Sequence, residues 1–367
     1  MALQSSGAIT LDQIHDEAGG TSGSTCTIND ADIRGLIDAD AGDNTSFDDW
    51  YGASAVNPRM LLAGGGDKAG NADSSNFIDK LETGSTGNTT DFGNLAVGVE
   101  DAGGGIASSI RGIFHGGGSA NGKVNSIEYL TIATTGNGTD FGNLSAAKQR
   151  NAGCSSSTRG IVSGGITDSA FLNVIEYVTI ANTGNVTDFG NLTATLAGQA
   201  GNVNSPTKGV FKSGAVNSSS TSDTIDSVTI ASTGNAADFG DSTYVSQGSG
   251  GCSNATQGIF FGGSRTTARS SGGVNIIEKI SIASAGNAAD FGDLTGFPSN
   301  DPQYIATNMC GAGNATRGIC ASNTHGGADI TFITFSSDGN SSDFGDYVNQ
   351  RKETAGIAAL SGAHGGL

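Results

Sequence analysis

The chain has 367 residues, among them 60 Gly, 4 Pro and 5 Cys, with a formal net charge of −18. That much glycine without matching proline excludes a collagen or a Pro-rich linker, and the acidity argues against nucleic acid or an anionic membrane surface, both of which need clustered Lys and Arg. Abundant Gly with few charged residues reads as many short strands joined by tight turns.

No apolar run reaches the roughly 18 residues of a membrane span. The opening Met1-Ala2-Leu3-Gln4-Ser5-Ser6 has neither the basic start nor the apolar stretch of a secretory signal, so a soluble protein not exported by the usual route is expected. The five cysteines (26, 154, 252, 310 and 320) are odd in number and lack C-x-x-C spacing, which weighs against a disulfide framework and a zinc site.

Residues 1–54 form a first, non-repetitive region. Leu11 to Ala18 predicts a short helix capped near Thr10 or Asp12, Asn29 to Ile37 a second, and Ser46 to Gly52 a third. Helices this short are not stable alone. The region nevertheless holds Ile14, Ile33, Leu36, Ile37, Phe47, Trp50 and Tyr51, the last two beside each other and Trp50 the chain's single Trp. Apolar material without a core of its own predicts an anchoring module that docks onto something else, with Ile14, Ile33, Ile37, Phe47, Trp50 and Tyr51 as its contacts.

From residue 55 to 367 the chain repeats. Asp-Phe-Gly occurs six times, its Asp at 91, 140, 188, 238, 290 and 343. A Gly-Asn pair precedes each, with Asn at 88, 137, 185, 235, 287 and 340, and ten residues before each Asn lies an Ile: 78, 127, 175, 225, 277 and 330. Three offsets kept in six copies are a structural requirement. Ile127-Glu128-Tyr129-Leu130-Thr131-Ile132 alternates with the period of a strand. Gly-Asn is expected to supply left-handed positions in the following hairpin turn. Asp-Phe-Gly then opens an outer strand. Upstream, runs such as Gly160-Ile161-Val162-Ser163-Gly164-Gly165 close on glycine doublets, preceded by a small-residue strand such as Asn151 to Ser156. Each unit thus has four strands: A (small residues), B (ending in Gly-Gly), C (Ile-Glu-Tyr-like) and D (Asp-Phe-Gly).

Four strands per roughly 50 residues is the period of a propeller blade. At the glycine doublet and the acidic-aromatic strand the unit resembles the kelch repeat, with Phe92, Phe141, Phe189, Phe239, Phe291 and Phe344 where a kelch blade usually has Trp. These rings are expected to wedge between blades. The first unit lacks a strand A, and Thr354 to Leu360 is an orphan one, so the two should close a ring. The fold expected is all-β, a six-bladed kelch-like β-propeller with a small, mostly helical N-terminal module.

A second resemblance is carried by Ala8 to Ile14, Ile28 to Arg34 and Phe47 to Gly52, which look like the N-termini of tailed-phage virion proteins; the Gly-Asn-x-x-Asp-Phe-Gly arrays also look like those of phage structural proteins. The resemblance implies a virion location after synthesis in the bacterial host cytoplasm, other virion proteins as partners of residues 1–54, and several copies per particle. The propeller would then face outward, towards a neighbouring protein or a host-surface glycan. A carbohydrate-binding propeller unconnected with a virion is the alternative.

Chemistry-bearing motifs are sparse, and no enzyme and no cofactor is expected. Asp-Phe-Gly matches a kinase triplet, but six copies without His-Arg-Asp read as turn and wedge. Ser336-Ser337-Asp338-Gly339 is followed by Asn340 where a sialidase Asp-box requires Gly, and it lacks the Trp. His115, His325 and His364 read as chance polar residues at strand ends, and the cysteines as small hydrophobes, with Cys310 and Cys320 flanking one hairpin symmetrically, in positions that could bring them face to face. The Asn137-Gly138-Thr139 sequon serves the turn. The A–B and C–D connections keep their length while B–C and D–A vary, all at one end of the blades. Phe171, Tyr244, Arg265, Arg269, Phe297 and Tyr304 on that face are therefore the candidate recognition residues.

Overall fold

A computed structural model describes residues 10–17, 59–67, 74–196, 201–265, 273–296, 309–322, 329–348 and 351–361. The chain divides into two compact units, Met1–Asn57 and Pro58–Leu367. In the first, a helix spans Leu11–Glu17. Thr10 and Gln13 cap it reciprocally: the Gln13 N–H donates to Thr10 Oγ1 at 3.2 Å, and the Thr10 N–H to Gln13 Oε1 at 2.8 Å. Ile14 is buried. The two further helices expected here fall outside the described residues.

In the second unit the described strands form six four-stranded antiparallel sheets, each ordered A-B-C-D. Blade three is representative, with Ala152–Ser155, Arg159–Ser163, Val174–Thr179 and Thr187–Asn191. The ring closes as the repeat requires. Strand Arg351–Ser361 pairs as the innermost strand of blade one with Arg59–Asp67, placing Leu360 opposite Leu61 and Ala358 opposite Ala63. The first and last strands of the propeller unit thus share one sheet, and no blade is left incomplete.

The six hydrophobic clusters coincide with the six blade interfaces. Phe92 clusters with Leu130 and Ile132 of the next blade, Phe141 with Val178 and Ile180, and Phe189 with Val228 and Ile230. Phe239 meets Ile280 and Ile282, Phe291 meets Ile333 and Phe335, and Phe344 returns to Leu81 of blade one. All six rings are 2–3% exposed, so each contributes roughly 1.5–3 kcal/mol by burial. The wedge reading holds.

The turn chemistry differs from expectation. Among the described residues no Asn of the Gly-Asn pairs has a positive φ, and of their glycines only Gly339 (φ 157°) does; the strand B doublets, such as Gly164 (φ 61°) and Gly165 (φ 104°), are left-handed instead. Gly-Asn instead runs along the outer edge of the preceding blade. The Gly136 N–H donates to Phe92 O at 3.0 Å, Asn137 Oδ1 accepts the Asn94 N–H at 3.0 Å, and the Gly138 N–H donates to Asn94 O at 2.8 Å. Equivalent bonds recur at every interface, ending with Gly87 on Phe344 O and Asn88 on the Asp346 N–H. The Gly of Asp-Phe-Gly is what permits this approach. Its φ lies between 148° and 158°, and a Cβ there would collide with the neighbouring turn's glycine carbonyl.

Two further contacts repeat at most of the interfaces. Arg111 at the start of strand B donates to Ile180 O and Ala181 O of the next blade at 2.7 and 2.9 Å, while stacking 4.4 Å over Tyr129. Arg159 does the same over Tyr177, and Arg317, stacked over Phe332, donates to Thr83 O at 3.2 Å. Nearer the axis, a strand A side chain packs over a strand B glycine of the next blade: Leu360 on Gly112, Ile106 on Gly160, Cys154 on Gly209, Val203 on Gly258 and Cys252 on Gly318. The cysteines are thus packing residues. Cys310 pairs with Ala321 and Cys320 with Gly311, a one-residue offset that sends the two thiols to opposite faces of the sheet. They do not face each other, and neither is in a disulfide.

Candidate functional site

The B–C and D–A connections share one face, and their roots are pinned to each other. Glu100 and Gly118, on neighbouring blades, exchange backbone N–H···O bonds of 2.7 and 2.8 Å. Gln149 and Ile166 form the equivalent pair at 3.2 and 2.9 Å, and Gln247 and Ser264 at 2.9 and 2.8 Å. Beyond this collar the blades differ. Blade two adds a hairpin, Gly118–Ser119 with Gly122–Lys123, and blade three bridges Ile166 to Phe171. Lys123 reaches from the first loop to Asp168 of the second at 2.6 Å.

Backbone strain is stored on the same face. Among the described residues, Asp101 (φ 47°) and Arg150 (φ 60°) are the non-glycine residues with positive φ. They hold each other: Arg150 Nε donates to Asp101 Oδ2 at 2.6 Å, and the Arg150 N–H to Asp101 O at 2.9 Å. A charge-assisted pair offsets two conformations that cost about 1–2 kcal/mol each.

Of the six recognition residues expected from the sequence, Phe171, Tyr244 and Arg265 are among the described residues. Phe171 is half-buried in its bridge and Arg265 is exposed on the blade five loop. Arg269, Phe297 and Tyr304 lie outside the described residues, as do Ile33, Ile37, Phe47, Trp50 and Tyr51. Tyr244 belongs to the interior rather than to a loop surface. Its hydroxyl donates to Gly262 O at 2.9 Å, its ring lies 4.1 Å from the Lys212 ammonium, and burial pushes the phenol pKa well up. It is drawn inward because Thr243, just before it, is fastened to the Glu278 carboxylate through its N–H and Oγ1, both at 2.7 Å.

That carboxylate belongs to a buried ionic cluster which the repeat pattern concealed. Lys212 Nζ lies 3.6 Å from Glu278 Oε1 and donates to Ser246 Oγ at 2.7 Å, with neither Lys212 nor Ser246 exposed. Burial brings the Lys212 pKa down to about 8, opposed by Glu278. A lysine of lowered pKa on a serine has the makings of a base and nucleophile, but with no exposed surface it has no substrate access. It is a charge-balanced spacer between blades. Lys148 and Glu176, at 2.6 Å and equally buried, do the same between blades two and three. The available signal was position: the last strand B residue is Ala63, Ser163, Phe261 or Ala321 elsewhere, and Lys212 or His115 here.

His115 is also sealed. Burial, reinforced by Lys148, lowers its pKa to about 3, so the imidazole is neutral. The Asn151 side chain lies beside the ring and favours the protonated form, an effect smaller than that of burial. His325 and His364 lie outside the described residues.

The axial channel is lined by strand A residues including Gly105, Gly153, Asn202, Gly251 and Gly311, and its free volume is about 40 Å³. Water fits such a space.

No protein-family model matches the chain, and no curated protein sequence matches it.

Proposed function

We propose that this chain is a non-enzymatic structural or appendage protein of a tailed-phage virion, carrying a kelch-like propeller. Residues 1–54 anchor it to other virion proteins, and the loop face is displayed for a neighbouring protein or a host-surface glycan. One observation carries the reading most strongly. The repeated residues Phe, Gly, Asn and the strand B cations are engaged between blades, so the ring satisfies itself and only the non-repeating loops are left for recognition. The separate unit at Met1–Asn57, with its capped helix, is consistent with a module of different purpose.

Imaging the native assembly tests the proposal. Contacts concentrated in residues 1–54, with the loops free, are expected. A particle-bound chain held through its propeller, with Trp50 in solvent, would overturn the anchor-and-display arrangement. Glycan binding by a chain associated with no particle would favour the lectin reading instead.

A further inference from the structure

The sequence contains two Asn-Gly dipeptides, Asn121-Gly122 and Asn137-Gly138, both in blade two. Asn-Gly is chemically vulnerable. The glycine nitrogen can attack the asparagine Cγ, and no Cβ obstructs the approach. Whether it does depends on what each group is already engaged in, and the structure separates the two sites.

At Asn137 both reacting groups are held. The side-chain oxygen accepts the Asn94 N–H at 3.0 Å, and the attacking nitrogen, Gly138 N, donates its hydrogen to Asn94 O at 2.8 Å. The Glu128 carboxylate lies against Gly138, where even a Cβ would collide with Oε2. A tetrahedral centre has no room to form there, and the adjacent carboxylate opposes deprotonation of the nitrogen.

Asn121 stands at the tip of the Gly118–Ser119 and Gly122–Lys123 hairpin, exposed on the loop face. Gly122 has φ 110° and open space around it, with nothing within 4 Å of where a Cβ would stand. The turn is held by Ser119, whose Oγ accepts the Asn121 N–H at 3.2 Å and donates to Gly122 O at 2.8 Å. The Gly122 nitrogen is paired with Ser119 across this turn, but the Asn121 side chain takes no part in the hairpin's bonding and nothing crowds the glycine, so side chain and space, not the nitrogen, separate this site from Asn137.

We propose that Asn121 is a site of spontaneous deamidation on the loop face, and that folding confines the reaction to this one of the two Asn-Gly sites. The Gly122 nitrogen loses its proton and bonds to Cγ of Asn121. The Cγ–Nδ2 bond breaks, and ammonia leaves with the proton, giving a five-membered succinimide. Solvent water then adds to either carbonyl and opens the ring to aspartate or isoaspartate. Nothing is oxidised or reduced. The product carries a new negative charge two residues from Lys123, whose ammonium bridges to Asp168 of the next blade.

The test is peptide mapping of the full native chain during incubation in mildly alkaline buffer, with the same chain in concentrated urea as the reference. In the native protein the peptide containing Asn121 should gain the mass of an amide-to-acid conversion at least about tenfold faster than the one containing Asn137, equivalent to about 1.4 kcal/mol of barrier. In urea the two rates should converge. Gly122→Ala should slow conversion at 121 without altering the rate at 137. Equal native rates, faster conversion at 137, or no native conversion at 121 while the urea sample converts would each overturn the proposal.

Discussion

The carbonyl oxygen of Phe344, in the last blade, accepts the backbone N–H of Gly87, in the first, at 2.8 Å. This bond repeats at every other interface, so the ring closes with the same chemistry that joins its neighbours. It requires the backbones to approach where Gly345 has no side chain. A Cβ on Gly345 (φ 149°) would collide with Gly87 O, whereas one on Gly87 would meet nothing within 4 Å. Gly345→Ala should therefore cost about 3 kcal/mol, at the upper end of overpacking penalties, and Gly87→Ala about 1 kcal/mol or less. Urea unfolding of the two variants checks this. Similar midpoints would mean that the close approach is not what Gly345 supplies.

Phe189 tests the wedge. It is 3% exposed and shares a cluster with Val228 and Ile230 of the next blade. Phe189→Ala should cost roughly 3–5 kcal/mol, as other large-to-small core changes do. A loss below about 1 kcal/mol with the fold intact would show that the ring adds little to the interface.

Closure gives an asymmetric prediction for the two ends of the chain. Removing Thr354 onward deletes Leu360 and Ala358, the partners of Leu61 and Ala63, and opens blade one along strand B. Deleting residues 1–50 leaves every propeller sheet complete. The C-terminal truncation should lower the melting temperature far more. Equal melting temperatures in calorimetry would contradict the role given to the last strand.

The repeat made the architecture legible because every interface uses the same residues at fixed offsets. Phe, Gly and Asn had to recur wherever a blade met the next, and the lone strand A at Thr354 to Leu360 had to pair with the lone strand B at Met60. What the pattern did not reveal was which neighbour each residue served. Gly-Asn read as a local turn because sequence shows adjacency along the chain; the partner of Asn137 is Asn94, a full blade away. Tyr244 read as a loop residue for the same reason. Its inward position follows from the Glu278 carboxylate of the next blade, which no local spacing discloses. The loop face was the least legible part, since residues that occur once leave no period to detect.

His115 makes stability depend on acidity in a known direction. Its folded pKa of about 3 lies below the ordinary 6.5, because burial penalises the imidazolium. Above pH 6.5 neither folded nor unfolded chain protonates it, and its contribution is complete. As pH falls from 6.5 towards 3 the unfolded chain takes up a proton that the folded one refuses, and stability is lost, by of the order of 5 kcal/mol when fully developed. His115→Ser, borrowing the residue of blade three, should flatten the decline in unfolding free energy over that interval. Parallel wild-type and variant curves would show that His115 is not the group responsible.

The most specific prediction concerns the one interface that breaks the glycine rule. In blades two to six a strand B glycine receives a larger side chain from the preceding strand A, as Gly112 receives Leu360 and Gly160 receives Ile106. Blade one has Met60 at the glycine's place, and the strand A position facing it in blade six is Ala312, packed against the cluster containing Met60. Bulk has moved from one side of the interface to the other. Met60→Gly alone should leave a cavity costing about 2–5 kcal/mol, and Ala312→Leu alone should overpack by about 1–3 kcal/mol. Together they recreate the Leu360–Gly112 arrangement, so the double variant should be more stable than the sum of the single losses allows, with a coupling of about 1–3 kcal/mol. A double-mutant cycle by urea unfolding measures that coupling. Strict additivity would mean that Met60 and Ala312 do not share the space the ring's near-symmetry assigns them.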